Sequence, residues 1–424
     1  MRKFNVLIYP AGSVGSCEVH DALSSSVNVE VFGAASDPRH APYIFKNFIT
    51  SIPNIDSHDF IDKINQCILD YKIDAIFPCH DSVAYFLSLN RDKIFAKIII
   101  ADHFTTNLCR FKNQLYKFFK NYTFTPYIYK SINKFPCFIK PIDGQGGKGA
   151  FKILCANDIP NNINLNNYVI CEFLPGDELT VDCFTNYNGN LLFISPRTRE
   201  RVFSGITSHG RIINTNDEIK YIAETLNNNL HFEGLWWFQI KKSNEGQYKL
   251  LEISTRTAGS MCLTRSRGIN LHLLSLYNAF KYDLDIIYNN YNVEMDRILY
   301  SRYKLDIVYR KVFIDFDDTI VLKDNVNIKC INFLYQCFNK KIKIILLTKH
   351  IGNIYDELTR YSIPKTLFYK IINIKTNDEK HTYIDDLNSI FIDNSFDERS
   401  KIIKKIKIPV FDTDGIDFLL DYRT

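Results

Sequence analysis

The sequence has no apolar run of the roughly 18 residues that a bilayer-spanning helix requires, so none is predicted. Its opening, Met-Arg-Lys-Phe-Asn-Val-Leu-Ile-Tyr, lacks a signal-peptide cleavage pattern and reads as a first strand. Eleven cysteines occur, but no Cys-x-x-Cys pair and no Cys/His metal spacing. They read as reduced thiols of a cytoplasmic protein, several of them packed in cores. An excess of one charge is also missing: 52 Lys and Arg face 47 Asp and Glu, interspersed, for a net +5. That argues against a nucleic-acid surface but leaves room for a local anion site. There is no internal repeat and no long low-complexity tract.

What is present is an ordinary globular composition, 46% apolar over 424 residues, enough for two to three domains at about 150 residues each. Residues 1–105 alternate short apolar strands (Val6–Tyr9, Val29–Phe32, Ala75–Pro78, Lys97–Ala101) with helical stretches near 15–24, 58–71 and 82–89. This alternation predicts a parallel sheet covered on both faces. The turn Pro10-Ala-Gly-Ser-Val-Gly-Ser16 falls short of dinucleotide-fingerprint spacing and reads as a tight strand-to-helix turn. Residues 106–130 read as a helical linker. Residues 135–260 are dominated by hairpin-like strands and predict an antiparallel sheet in a mixed α+β region. Helix returns at 269–283, and a Tyr- and Asn-rich bridge spans 284–310. From Val312 a second strand–helix alternation begins.

Two centres carry chemistry. In the first, strand Cys137–Lys140 delivers Lys140 to a turn with four glycines in six residues, Gly144, Gly146, Gly147 and Gly149. Such a turn lets backbone N–H groups converge on an anion. No Gly-Lys-Ser/Thr follows, so it is not a Walker loop; the plain alternative is a flexible hairpin. Further on, Glu252, Ser254 and Arg256 alternate onto one strand face, and a preceding strand carries Gln239. Oxygen donors of this kind suit Mg²⁺, and Arg256 offers a positive fork to a phosphoryl group. The alternative is a solvated face with a salt bridge. The Arg197-Thr-Arg199-Glu-Arg201 cluster would bind an anionic substrate or form a solvated hairpin.

In order and spacing, Lys112, Lys140, the glycine loop, Glu172-Phe173-Leu174, Glu178, Gln239 and Glu252-x-Ser254-x-Arg256 resemble the ATP-grasp superfamily over residues 1–305. The similarity is to the branch of biotin carboxylase and the carbamoyl-phosphate synthase large subunit. The resemblance implies ATP and Mg²⁺ (or Mn²⁺) as cofactors. Lys112, Lys140, Gly144, Gly146 and Gly147 would contact phosphates, Glu172 to Leu174 would pair with adenine, and Glu178 would hold the ribose. Gln239, Glu252 and Ser254 would ligate metal, although the family usually has Asn where Ser254 stands. Arg256 would steady the phosphoryl group. The implied reaction joins a small-molecule carboxylate to an amine through an acyl phosphate.

The second centre is Val312-Phe-Ile-Asp315-Phe-Asp317-Asp-Thr319. Two carboxylates at i and i+2 just past a buried strand suit a nucleophile and a general acid/base, given Mg²⁺ to offset their repulsion. Thr348, Lys380 (with Lys375 close by), Asp393 and Asp397 follow. This set resembles the haloacid dehalogenase phosphatase superfamily over residues 311–424. The resemblance implies an aspartyl phosphate on Asp315 and proton transfer by Asp317. It also implies phosphoryl contacts from Thr348 and Lys380, and Mg²⁺ on Asp315, Asp317 and Asp393. The plain alternative is a retired domain kept as scaffold. The motifs leave no room for a large cap, so the substrate is large or a neighbouring domain covers the site.

The expected fold is therefore a multidomain α/β and α+β protein. Residues 1–105 form a parallel α/β domain, 106–305 an ATP-grasp domain, and 311–424 a Rossmann-like haloacid dehalogenase domain. The expected function is a bifunctional ligase and phosphatase acting on a phosphorylated amine or amide, with surface (capsule) polysaccharide modification as one setting. Dipeptide-type ligation and non-catalytic ATP-binding regulation are the alternatives. No nucleic acid or membrane partner is expected; a homodimer is allowed for.

Overall fold

The computed structural model describes residues 2–298, 300–303 and 305–423. The chain divides into two compact units, Met1–Leu299 and Tyr300–Arg423. The first opens with β1 (Phe4–Tyr9), α1 (Val14–Leu23), β2 (Val29–Ala34), β3 (Asn47–Ile49), α2 (Phe60–Asp70), β4 (Ala75–Pro78), α3 (Asp81–Leu89) and β5 (Lys97–Ile98). These strands pair in parallel in the order β3-β2-β1-β4-β5. The continuous apolar run of β1 explains its place at the centre. Phe4, Val6 and Ile8 feed one core and Leu7 and Tyr9 the other, as a strand covered on both faces must. The Pro10–Ser16 turn is a capped helix start: Ser16 N–H donates to Ser13 Oγ at 3.1 Å and Ser13 N–H to Ser16 Oγ at 2.8 Å.

The chain continues through α4 (His103–Arg110), α5 (Lys112–Phe118), β6 (Ile128–Tyr129), β7 (Cys137–Pro141), β8 (Phe151–Ile153) and β9 (Tyr168–Glu172). Then come β10 (Glu178–Thr185), β11 (Leu191–Thr198), β12 (Arg201–Phe203), β13 (Ile206–Arg211), α6 (Asp217–Asn229), β14 (Gly234–Lys242) and β15 (Tyr248–Ser254). The unit closes with α7 (Cys262–Arg265), α8 (Leu271–Ala279) and β16 (Glu294–Asp296). Instead of one antiparallel sheet there are two four-stranded ones, β6-β9-β7-β8 and β11-β10-β14-β15, and a small sheet β12-β13-β16. Residues 106–130 are more than a linker: Leu108, Leu115, Phe119 and Phe124 are buried in the core under α6 and β14. The 284–310 bridge also contributes structure, because Glu294–Asp296 pairs with β13. Both departures are tertiary: short local patterns acquire their state from the partner they pack on.

α8 buries His272 completely beside Phe77, and neither ring nitrogen has a hydrogen-bond partner among the described residues. Burial, helped by the charge of Arg265, pushes its pKa down to about 3. The folded value lies below the unfolded one, near 6.5. The neutral ring's contribution is thus fully present above pH 6.5 and is lost as pH falls from there towards 3. His272→Leu is expected to show a shallower loss of Tm than the wild type between pH 7 and pH 5; identical slopes would contradict this.

The second unit contains β17 (Lys311–Ile314), β18 (Val321–Leu322), β19 (Asn325–Val326), α9 (Ile328–Asn339), β20 (Lys343–Thr348), α10 (Ile354–Arg360), β21 (Lys370–Asn373), β22 (Ser389–Ile392), α11 (Phe396–Lys405) and β23 (Val410–Phe411). Its sheet is parallel in the order β21-β20-β17-β22-β23. β17 is central and buried on both faces: Val312 and Ile314 enter one core and Phe313 the other. The strand order reverses beside β17, and the carboxyl ends of β17, β20 and β22 lie together there. All eleven cysteines are free, and no helix among the described residues is long and apolar enough to cross a membrane.

Candidate active site

Lys140 lies next to last in β7 with its side chain opposite Cys137 and Ile139, which are buried in their own small core. The lysine is buried too. Its Nζ donates to Tyr116 Oη at 2.6 Å and to the Leu251 carbonyl at 3.1 Å. Lys112, at the start of α5, donates to the Gly144 carbonyl at 2.6 Å. Burial pulls the Lys112 pKa below the ordinary lysine value, opposed by the charge of Glu252. Two buried ammonium groups therefore converge at the base of the glycine turn.

That turn joins the antiparallel pair β7–β8, so it is a hairpin loop by connection. Gly146, Gly147 and Gly149 hold positive φ (63°, 70° and 72°), which favours glycine. The turn of the β12–β13 hairpin rests on it backbone to backbone: a Cβ on Gly205 would lie 2.4 Å from the Gly146 carbonyl oxygen.

Beyond the loop lies a cavity of about 560 Å³ whose walls include Lys112, Lys140, Gly144, Gly146, Gly147, Glu178, Arg197, Arg199, Gln239, Glu252 and Arg256. Gln239 and Glu252 face each other across the β14–β15 pair. With its amide nitrogen towards Glu252 Oε1 (3.1 Å) and its oxygen towards Arg199 Nη1 (3.2 Å), Gln239 bridges a carboxylate and a guanidinium. A smaller adjoining cleft of about 90 Å³ is walled by Phe138, Lys140, Glu172, Phe173, Leu174 and Glu178. Glu178 accepts from Arg199 Nε at 2.7 Å, and Lys241 Nζ lies 3.5 Å away.

Two expected residues are not brought into the cavity wall. Ser254 turns its hydroxyl to Asp81 Oδ1 at 3.4 Å, since its short side chain ends beside that carboxylate. Arg201 is exposed on β12 and pairs with Asp296 at 2.6 Å. Arg197 reaches the wall already neutralised: it is 1% exposed and forks onto Asp182, itself 0% exposed, at 2.9 and 3.0 Å.

The β4–α3 junction, Cys79-His80-Asp81-Ser82, carries no local motif that points to the cavity, yet it reaches it. Arg256 Nε and Nη2 donate to Asp81 Oδ1 and Oδ2 at 2.7 and 2.8 Å. Burial works to raise the Asp81 pKa, but the Arg256 charge and hydrogen bonds prevail and hold it below the usual carboxylate value. His80 Nε2 lies 2.6 Å from the Gln145 amide in the glycine turn. The available signal was topological: polar residues directly after a parallel strand, at the carboxyl edge where ligands sit.

In the second unit, Lys380 Nζ lies 2.8 Å from Asp315 Oδ1 and 2.6 Å from Asp393 Oδ2, all three groups being buried. Burial and the nearby Asp315 charge push the Asp393 pKa up to about 6, against the pull of Lys380. Burial also raises that of Asp315, with Lys380 opposing. Thr348, fully buried, closes β20 beside them. Lys375 is exposed, which distinguishes it from Lys380, and Asp397 is exposed on the first turn of α11. Asp317 points outward to His350, whose Nδ1 is 2.9 and 3.0 Å from its two oxygens. His350 was not anticipated, although it follows Thr348 at the same sheet edge. Among the described residues no group of three or more His, Cys, Asp or Glu is arranged to hold a metal unaided. Two buried carboxylates sharing one lysine nevertheless form an all-oxygen donor set suited to a hard cation.

Residues 164–298 match the family described as "ATP-grasp in the biosynthetic pathway with Ter operon". No curated protein matches the sequence. Among solved structures, biotin carboxylase from Campylobacter jejuni, in complex with a β,γ-ATP ligand, is similar at a TM-score of 0.55 and 14% identity, over 68% of this chain and 74% of that one. N5-carboxyaminoimidazole synthetase from Staphylococcus aureus, complexed with ADP, gives 0.55 and 16%, over 68% and 79%. L-amino acid ligase from Bacillus licheniformis gives 0.53 and 15%, over 66% and 75%. At these identities the structural likeness speaks for the fold. Residues 164–298 thus carry a match to an ATP-grasp family model, and the chain is similar in fold to these three enzymes over 66–68% of its length.

Proposed function

We propose that the chain is an ATP-dependent carboxylate–amine ligase joined to a phosphatase of the haloacid dehalogenase type, with residues 1–105, 106–305 and 311–424 as its functional segments. The observation that carries the ligase reading is the convergence of Lys112, Lys140, the glycine turn, Glu252 and Arg256 on one cavity. In this reading adenine takes the adjoining cleft at Glu172–Leu174, and the phosphates take the space between the glycine turn and the two lysines. Lys140 and Lys112, both buried, offset phosphate charge where such pairing is stronger than at a solvated surface. Arg256 offers its remaining N–H groups to the phosphoryl group that passes to the substrate carboxylate. Glu252 would hold Mg²⁺, which supplies charge neutralisation at the phosphates, while Gln239 orients the Glu252 carboxylate by donating to it at 3.1 Å. Arg199, on the same wall, suits the incoming carboxylate.

In the second unit, Asp315 is the nucleophile of the proposed phosphatase. Its carboxylate oxygen bonds to phosphorus as the bond to the leaving oxygen breaks, and Asp317 gives that oxygen a proton. Asp317 then takes a proton from the water that releases phosphate. Lys380 and Thr348 hold the phosphoryl oxygens, and Asp315 with Asp393 would hold Mg²⁺. The turned-away Ser254 favours one other reading, an ATP-binding regulator without turnover, because it leaves the first metal site a single carboxylate.

Incubating the protein with ATP, Mg²⁺ and a panel of carboxylates and amines separates the two. The ligase reading expects ADP release that depends on both co-substrates, with amino acids as the first carboxylates to try in view of the L-amino acid ligase neighbour. Nucleotide binding without co-substrate-dependent release across the panel would favour the regulator.

A further inference from the structure

Three consecutive side chains of the β4–α3 junction make contacts at or beside the cavity, two of them with residues of its wall, Gln145 and Arg256. His80 meets Gln145 of the glycine turn, Asp81 meets Arg256, and Ser82 Oγ accepts from Arg110 Nη2 at 3.3 Å. This junction lies outside residues 164–298. It sits at the carboxyl end of β4 beside β1, where the strand order of the first sheet reverses.

We propose that Asp81 is the positioning residue of Arg256, fixing the plane in which that guanidinium meets the terminal phosphoryl group; the inference rests on the ligase reading. A guanidinium has five N–H donors in a rigid fork. Asp81 takes one from Nε and one from Nη2, and the Thr257 carbonyl takes one from Nη1 at 2.9 Å. Two N–H groups remain, on a side chain that lines the cavity. The Trp237 ring, 5.7 Å from the guanidinium carbon, limits movement out of this plane. Ser254 adds its hydroxyl to Asp81 Oδ1, so the residue that stands where a further oxygen ligand was expected serves this carboxylate instead. A bidentate carboxylate is thus the feature that sets the arginine's orientation, and an amide cannot replace it: it presents one acceptor and one donor to two donors.

The test uses the full-length protein and calorimetric affinities for Mg-ADP and for the Mg complex of β,γ-imido-ATP. Arg256→Met is expected to weaken imido-ATP by at least about tenfold and ADP by less than about twofold. Asp81→Asn is expected to reproduce that split while remaining folded at the assay temperature, and the double variant to be no weaker than Arg256→Met alone. Asp81→Glu, which keeps the charge but displaces the fork, is expected to fall between and stands in if Asp81→Asn does not fold. Equal weakening of both nucleotides, wild-type affinities in Asp81→Asn, or additive losses in the double variant would overturn the positioning role alone. Absence of nucleotide binding by the wild type, or an Arg256→Met variant with unaltered preference, would overturn the ligase reading and this inference with it.

Discussion

Asp315→Asn should abolish phosphate release from a generic aryl phosphate, a loss of at least about a thousandfold on the scale seen when a nucleophile is removed, while ADP formation continues. The amide has nearly the shape of the carboxylate but no charge and no nucleophilic oxygen. The fold should tolerate it. Burial already pushes the Asp315 carboxyl towards its neutral form, with Lys380 opposing, and Asp393 stays 2.6 Å from Lys380 to pair its charge. The two proposed activities should separate because Asp315 lies within the second compact unit and the cavity proposed for ATP within the first. Retained phosphate release in the variant would remove Asp315 from the nucleophile's role, whatever the ligase does.

Glu252→Gln should remove ADP formation, by roughly a hundred- to a thousandfold, the usual effect of deleting one preorganised electrostatic group from an active site. Glu252 is the carboxylate that faces Gln239 across the β14–β15 pair, and its charge also supports the protonated form of buried Lys112. The substitution keeps the volume and a hydrogen bond to Gln239 but leaves the two lysines and Arg256 without that counter-charge. Nucleotide binding should weaken less than turnover, since Lys140 and the glycine turn are untouched. The measurement is co-substrate-dependent ADP release at saturating ATP, with aryl phosphatase activity as an internal control. Turnover equal to wild type would mean that metal and phosphoryl charge are handled elsewhere.

Much of what lines the two candidate sites was legible because those residues are locally encoded. A strand followed by glycines, or by Asp-x-Asp-x-Thr, carries its geometry in adjacent positions. Lys140, the turn from Gly144 and the strand carrying Glu252 are read this way, as are Asp315 and Thr348. What was missed depends on distant partners. Asp81 is 175 residues from Arg256, and His350 is 33 from Asp317. Ser254 was expected beside Glu252 from strand alternation alone, yet its hydroxyl follows the carboxylate that opens α3. Arg197 looked like a substrate-binding cation, but Asp182 and burial neutralise it.

The sequence by itself determined the order of elements and the chemistry available to them. Apolar runs on both faces of β1 and β17 dictate parallel sheets, glycine at positive φ dictates the turn at 146–149, and carboxylates after a buried strand dictate where charge collects. Only the tertiary structure decided which charges meet. Side chains far apart in sequence gain interaction energy only once the sheets are assembled and the chain entropy of bringing them together has been met. That is why Arg256, in the wall of the first unit's cavity, belongs in the folded molecule to the aspartate that opens α3.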